Sequence, residues 1–221
     1  MHGILPEAED TGGLFGRVQY WFACFFAIGW AGVVCGALVR QVVLGEHPCP
    51  LCVAQRIFML LAATGAAYVV RTGLAYGAVG GRDYMTGWGL ALVAVTAGAF
   101  ASWRQSLLHV VPGGRGHGGE VFGLDPSVWA LILFQASAVA VGVALACARV
   151  TAGRSVPAEG PGALRSAGLF ALGFLGLAIA ASLAAVFLEE GFHWFLPDVP
   201  TRYRFFSDVG IVDRPPGGAR G

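Results

Sequence analysis

The sequence predicts an all-α membrane protein, a four-helix transmembrane bundle with a fifth transmembrane helix added, and three observations carry that prediction. Of 221 residues, 56% are hydrophobic and only 12% charged, about half the charge of an average soluble domain. Mean hydropathy is +0.68. The apolar residues also gather in runs long enough to cross a bilayer, so this surface has to face lipid.

Taken in order, residues 1–17 carry Glu7, Glu9 and Asp10 and lack both a basic n-region and a cleavage site. They read as a flexible cytoplasmic tail and not as a signal peptide. Stretches free of Asp, Glu and Arg then run Val18–Val39, Tyr84–Trp103, Pro126–Ala148 and Ser166–Leu188, each able to cross about 30 Å of hydrocarbon at about 1.5 Å per residue. A further run, Ile57–Val70, reaches spanning length only by taking in Val53–Arg56. This second helix therefore brings Gln55 and Arg56 into or next to the membrane, where an ionisable side chain is costly enough to suggest a function. Gly32 and Gly36 stand four residues apart in the first span, a spacing that lets helix backbones approach closely, within one compact bundle or in a dimer contact.

Five spans put the termini on opposite sides. Segments 40–52, 104–125 and 189–221 then share one side, and the N-terminus and the loops 71–83 and 149–165 share the other. Arg17, Arg71, Arg82, Arg149, Arg154 and Arg165 lie with the N-terminus, against Arg40, Arg104 and Arg115 in the short loops opposite, a small margin toward a cytoplasmic N-terminus that leaves the four arginines of the 189–221 tail out of the comparison. After Leu188, the stretch Glu189–Asp208 is rich in aromatic residues and arginine, a composition suited to the headgroup level. Pro215–Gly221 reads as disordered.

Charge and cysteine usage exclude other classes. The formal net charge is +1 and all 14 basic residues are arginine, with no basic field for a nucleic acid partner. Five cysteines in a long apolar chain make no dense disulfide framework. Cys24, Cys35 and Cys147 fall inside the expected spans, where a thiol behaves as a small apolar residue.

Cys49 and Cys52 differ, because they form Cys49-Pro50-Leu51-Cys52 just ahead of the second helix. Two reduced thiols at this spacing exchange readily with a partner. Cys52 is expected in the first helical turn, where unpaired N–H groups and the positive end of the helix dipole favour a thiolate. Arg56, four residues on, adds a fixed positive charge on the same face. Three readings of the pair stay open. A static disulfide would constrain little chain. A metal site would have only His47, Cys49 and Cys52 where a closed zinc centre takes four ligands. A redox-active dithiol at the membrane edge is the third. His47 is a candidate for moving protons or an exposed histidine without a role.

The string His47-Pro48-Cys49-Pro50-Leu51-Cys52-Val53-Ala54-Gln55-Arg56-Ile57 resembles the signature of the DsbB family of membrane thiol:quinone oxidoreductases. The likeness continues more loosely through Gln41–Val70, Ser102-Trp103-Arg104-Gln105, Leu108-His109-Val110-Val111-Pro112, and Phe122-Gly123-Leu124-Asp125 with Trp129. It covers about residues 18–148. It implies that Cys49 exchanges with a thiol partner, that Cys52 contacts the quinone as a thiolate, and that Arg56 supports the quinone, with Arg104 and His109 as further quinone-binding candidates. The spacing from Arg104 to His109 is one residue shorter than in the family pattern, and an interface histidine without a role fits equally. The resemblance also implies ubiquinone or menaquinone as cofactor, a DsbA-like thioredoxin-fold dithiol protein as periplasmic partner, and a site on the outer face of the bacterial inner membrane.

Two departures stand out. Better-known members carry a second cysteine pair between the third and fourth helices, whereas Val111–Asp125 holds no cysteine. Either the partner attacks Cys49 directly or the electron donor is not DsbA-like. The fifth span is the other departure. Together they keep a rival expectation in view, a quinone-binding or structural membrane subunit without general disulfide-forming activity, which would reduce no quinone in response to a dithiol.

Overall fold

A computed structural model describes residues 8–45, 49–110, 123–153, 162–191 and 205. Among them the chain is all-α: α1 (Ala8–Leu44), α2 (Pro50–Tyr76), α3 (Gly81–Val110), α4 (Pro126–Ala146), the one-turn α5 (Ala148–Thr151) and α6 (Ala163–Glu190). Five of these helices are long and apolar enough to cross a membrane, and the chain is a multi-pass membrane protein.

Helix starts follow local chemistry. Pro50 and Pro126 each occupy the first turn, behind Cys49 and Asp125 as N-caps. Proline suits that place because its fixed φ is helical and its missing N–H would have had no partner. The Asp125 carboxylate accepts from the Ser127 backbone N–H at 2.8 Å and from the Ser127 hydroxyl at 2.7 Å. Helix α2 ends on Gly77 at φ 64°, a left-handed position that glycine occupies without penalty. Helix α1 begins at Ala8, ahead of the Val18 boundary expected from charge alone. A helix already nucleated in an apolar span extends at one hydrogen bond per added residue.

The helices alternate in direction. Helix α2 packs chiefly on α3 and α1, α3 also on α4, and α6 on α1 and α2. The core has two apolar layers. One is built around Tyr20, Val69, Val70, Tyr84, Trp88 and Val141. The other is built around Trp30, Val34, Met59, Val95, Phe134 and Leu175. Outward-facing Phe25, Val93, Phe100, Phe170, Leu177 and Leu183 are exposed, as lipid contact requires.

Small residues set the closest crossing, though not at the expected place. Gly32 and Gly36 are exposed with nothing within 4 Å of an added Cβ, because that side of α1 faces away from its neighbours. The tight approach lies between α2 and α3, where a Cβ on Gly65 would sit 2.6 Å from the Gly87 carbonyl oxygen and 2.7 Å from the Ala91 nitrogen. Backbone cannot yield as a side chain does. Gly65→Val is therefore expected to destabilise the bundle by about 2–3 kcal/mol, read as a lowered denaturation midpoint in mixed micelles, while Gly32→Val leaves the midpoint in place.

Candidate functional site

The inward faces of the four contacting helices can be followed residue by residue at alternating steps of three and four. In α1 the buried series Tyr20, Ala23, Ala27, Trp30, Val34 arrives at Gln41; in α3, Tyr84, Trp88, Ala91, Val95, Gly98, Ser102 arrives at Gln105. In α6, Gly168, Ala171, Leu175, Ala178, Ser182 arrives at Glu189. Helix α2 runs the other way and begins its series with Gln55 and Arg56. Each seam thus carries apolar residues through the membrane and turns polar at the same end. Gln41, Gln55, Arg56, Gln105 and Glu189 are all buried.

At that end stands the cysteine pair. Cys49 is the N-cap of α2 and Cys52 the third helical residue, which is the spacing at which an N-cap side chain accepts from a backbone N–H. Here sulfur takes the place of a serine oxygen, and the Cys52 N–H donates to Cys49 Sγ at 3.3 Å. The two sulfurs lie 2.8 Å apart. From α3, Gln105 Nε2 donates to Cys52 Sγ at 3.3 Å, and Gln105 Oε1 accepts from Gln55 Nε2 at 3.0 Å. One turn along α2, Arg56 Nη1 donates to Gln41 Oε1 at 2.6 Å, and Gln41 Nε2 donates to Glu189 Oε1 at 2.8 Å. Four helices therefore meet at one polar end layer. Ser106 and Ser127, oxygens 3.2 Å apart, tie the start of α4 to α3 beside it.

The electrostatics divide the two sulfurs. The hydrogen bond to Cys52, and then burial, push the Cys49 thiol well above its ordinary range. Cys49 is thereby favoured as the protonated sulfur of the pair. Cys52 receives two hydrogen bonds at the positive end of a helix, the setting in which sulfur best carries negative charge.

Of the residues singled out from sequence, Cys49, Cys52 and Arg56 come together here. Arg104 does not join them, since its side chain is exposed and its neighbour Gln105 faces the sulfur. One residue along a helix is a turn of about 100°. The backbone of His109 belongs to the end of α3, but its side chain lies outside the described residues, as does His47. Glu189, expected in an interfacial tail, is instead the buried end of α6. Of the rest of that tail up to Asp208, only Glu190, Gly191 and Phe205 are among the described residues, with the Phe205 ring 5.5 Å from Phe187. Cys147, expected in the core, is exposed because α4 stops at Ala146. Among the described residues no cluster of three His, Cys, Asp or Glu could hold a metal ion. Gln41, Gln105 and Glu189 escaped attention in the sequence, although each lies in phase with its helix's small and apolar stripe.

The family model described as Disulfide bond formation protein DsbB matches residues 19–115. The chain is 56% identical to disulfide bond formation protein B of Saccharophagus degradans over 32 residues, covering 14% of the chain and 19% of that protein. It is 50% identical over 52 residues to disulfide bond formation protein B 1 of Pseudomonas fluorescens, covering 20% and 31%. With disulfide bond formation protein B of Polaromonas naphthalenivorans it is 34% identical over 86 residues, covering 39% and 48%. The chain thus spans less than half the length of these curated relatives, and α4 and α6 lie beyond the family match. No solved structure gives a significant match.

Proposed function

Residues 19–115 belong to the DsbB family, and from that premise we propose that this chain is a thiol:quinone oxidoreductase that works through a single cysteine pair, Cys49 and Cys52. The observation that carries this reading is the Cys52 sulfur, held in the first turn of α2 between the Cys49 thiol and the Gln105 amide, with Arg56 one turn away. The dithiol it oxidises belongs to a periplasmic thioredoxin-fold protein of the DsbA kind. The site faces the outer side of the bacterial inner membrane, because a disulfide of this sort persists only outside the reducing cytosol.

In the oxidised state Cys49 and Cys52 are bonded. A partner thiolate attacks Cys49 Sγ, the S–S bond breaks, and Cys52 leaves with the electron pair as a thiolate. Its negative charge is met by the α2 N-terminus and the Gln105 amide. The partner's second thiol then attacks its own half of the mixed disulfide, and Cys49 departs as a thiol, holding the proton that its bond to Cys52 and its burial favour.

A membrane quinone, when bound, takes up two electrons and two protons and leaves as quinol. The residues present fit such a ring: Arg56 and Gln105 are donors for a carbonyl oxygen, and the exposed apolar Val42, Ile57 and Leu108 stand within a turn of Gln41, Arg56 and Gln105 on their helices. Buried donors of this kind, screened by little water, stabilise charge that develops during reduction. As the Cys49–Cys52 bond re-forms, Cys49 gives up its proton and the pair returns to the oxidised state.

The test is anaerobic mixing of purified protein with a reduced DsbA-type dithiol protein and a short-chain quinone. Quinone absorbance is expected to fall by one equivalent per disulfide formed in the partner, with no loss when the dithiol is omitted. An intact, oxidised Cys49–Cys52 pair that leaves quinone unreduced would sink the reading.

A further inference from the structure

We propose that Glu189, supplied by the fifth span, is a positioning residue that orients Arg56 through Gln41 and thereby makes α6 part of the quinone site. The inference rests on the oxidoreductase reading for its ligand but on separate observations for its substance. It concerns a helix outside the part of the chain that matches the family.

Three buried polar side chains form a line from α6 through α1 to α2. Glu189 is 3% exposed, Gln41 2% and Arg56 8%. Groups of this kind at the edge of hydrocarbon are retained only where they satisfy one another. The order of the line matters. Gln41 presents its oxygen to Arg56 and its nitrogen to Glu189. A primary amide has one accepting and one donating end, so a neighbour that accepts at the nitrogen decides which end faces the guanidinium. Without Glu189 the amide nitrogen loses its acceptor, and the Gln41 oxygen to which Arg56 donates is held less firmly.

Packing alone does not account for an acid here. Among the described residues Glu189 Oε2 is buried with no hydrogen-bond partner, a cost that a leucine in the same seam would avoid. The seam above it is made of Gly168, Ala171, Leu175, Ala178 and Ser182, so a small or apolar residue would continue the packing. Glu189 therefore acts on Arg56, not on the stability of α6.

The experiment uses the full chain in nanodiscs and two readouts: equilibrium binding of a short-chain ubiquinone analogue, followed by fluorescence quenching, and the rate at which a reduced dithiol protein exchanges with the Cys49–Cys52 disulfide. Glu189→Leu, Glu189→Ala and Gln41→Leu are each expected to weaken quinone binding by about tenfold, the loss of one hydrogen bond to a charged group, with thiol exchange unchanged. Glu189→Gln, whose amide oxygen still accepts from Gln41, restores most of the affinity. If the Leu and Ala variants bind quinone like the wild type, or lose binding and thiol exchange together, the inference is wrong. Wild type that binds quinone but never reduces it with dithiol would end the oxidoreductase reading and leave the role of Glu189 to be judged on binding alone. Wild type that binds no quinone ends both.

Discussion

Replacement of either cysteine, Cys49→Ala or Cys52→Ala, is expected to lower dithiol-dependent quinone reduction by at least about a thousandfold, because one reactive sulfur is removed outright and no other group takes its part. Neither loss is a folding effect. Both side chains are small and only half-buried at the mouth of α2, and an N-cap lost from one helix costs about 1 kcal/mol. The two variants should differ in a second measurement. In the reduced wild type the hydrogen bond to Cys52 is the largest cause that holds the proton on Cys49. A raised thiol pKa means that thiolate appears only when pH rises through it, so Cys49 in the reduced wild type is expected to react slowly with iodoacetamide through pH 7 to 9. Cys52→Ala removes that cause, and Cys49 should then be alkylated faster over the same range, with mass spectrometry locating the label. Equal Cys49 rates in the two proteins would show that the sulfurs are not coupled as described.

Arg56→Met comes next in size. Loss of one preorganised donor from a site of developing charge typically costs about 10²–10³ in rate, and the fall is expected in the quinone half of the reaction with thiol exchange preserved. The same change leaves Glu189 buried without a cation, which destabilises a protein by about 3–5 kcal/mol. Those two effects can be separated. The double variant Arg56→Met, Glu189→Leu removes both charges, and replacing a buried pair by apolar residues is often neutral or stabilising. It should recover the denaturation midpoint of the wild type and none of its quinone reduction. Recovery of turnover would mean that Arg56 serves the fold and not the chemistry.

Much of the site was legible in the residue order for local reasons. The spacing of Cys49 and Cys52 matches N-cap and third helical residue, and Pro50 between them marks the helix start. Arg56 follows on the same face by helical periodicity alone. The positions of Arg104 outside the buried cluster and of Gln105 within it share one cause. Charge drew the eye to the arginine, but the phase of Tyr84, Trp88, Ala91, Val95 and Ser102 selects the glutamine. Phase would also have placed Gln41 and Glu189 inward. It could not have said that they meet.

The sequence by itself determined that the chain crosses the membrane, roughly where each span runs, and that a cysteine pair opens the second helix, because burial in lipid and helix initiation act on neighbouring residues. Only the tertiary structure decided which polar residues serve that pair. Gln41 and Glu189 are 148 positions apart and Cys52 and Gln105 are 53 apart, and helix periodicity sets only the direction in which a side chain leaves its own axis. Which helices pack, at what height, and hence which acid lies behind which arginine, depends on close approaches such as Gly65 on Gly87, where the absence of a side chain on one helix admits the backbone of another.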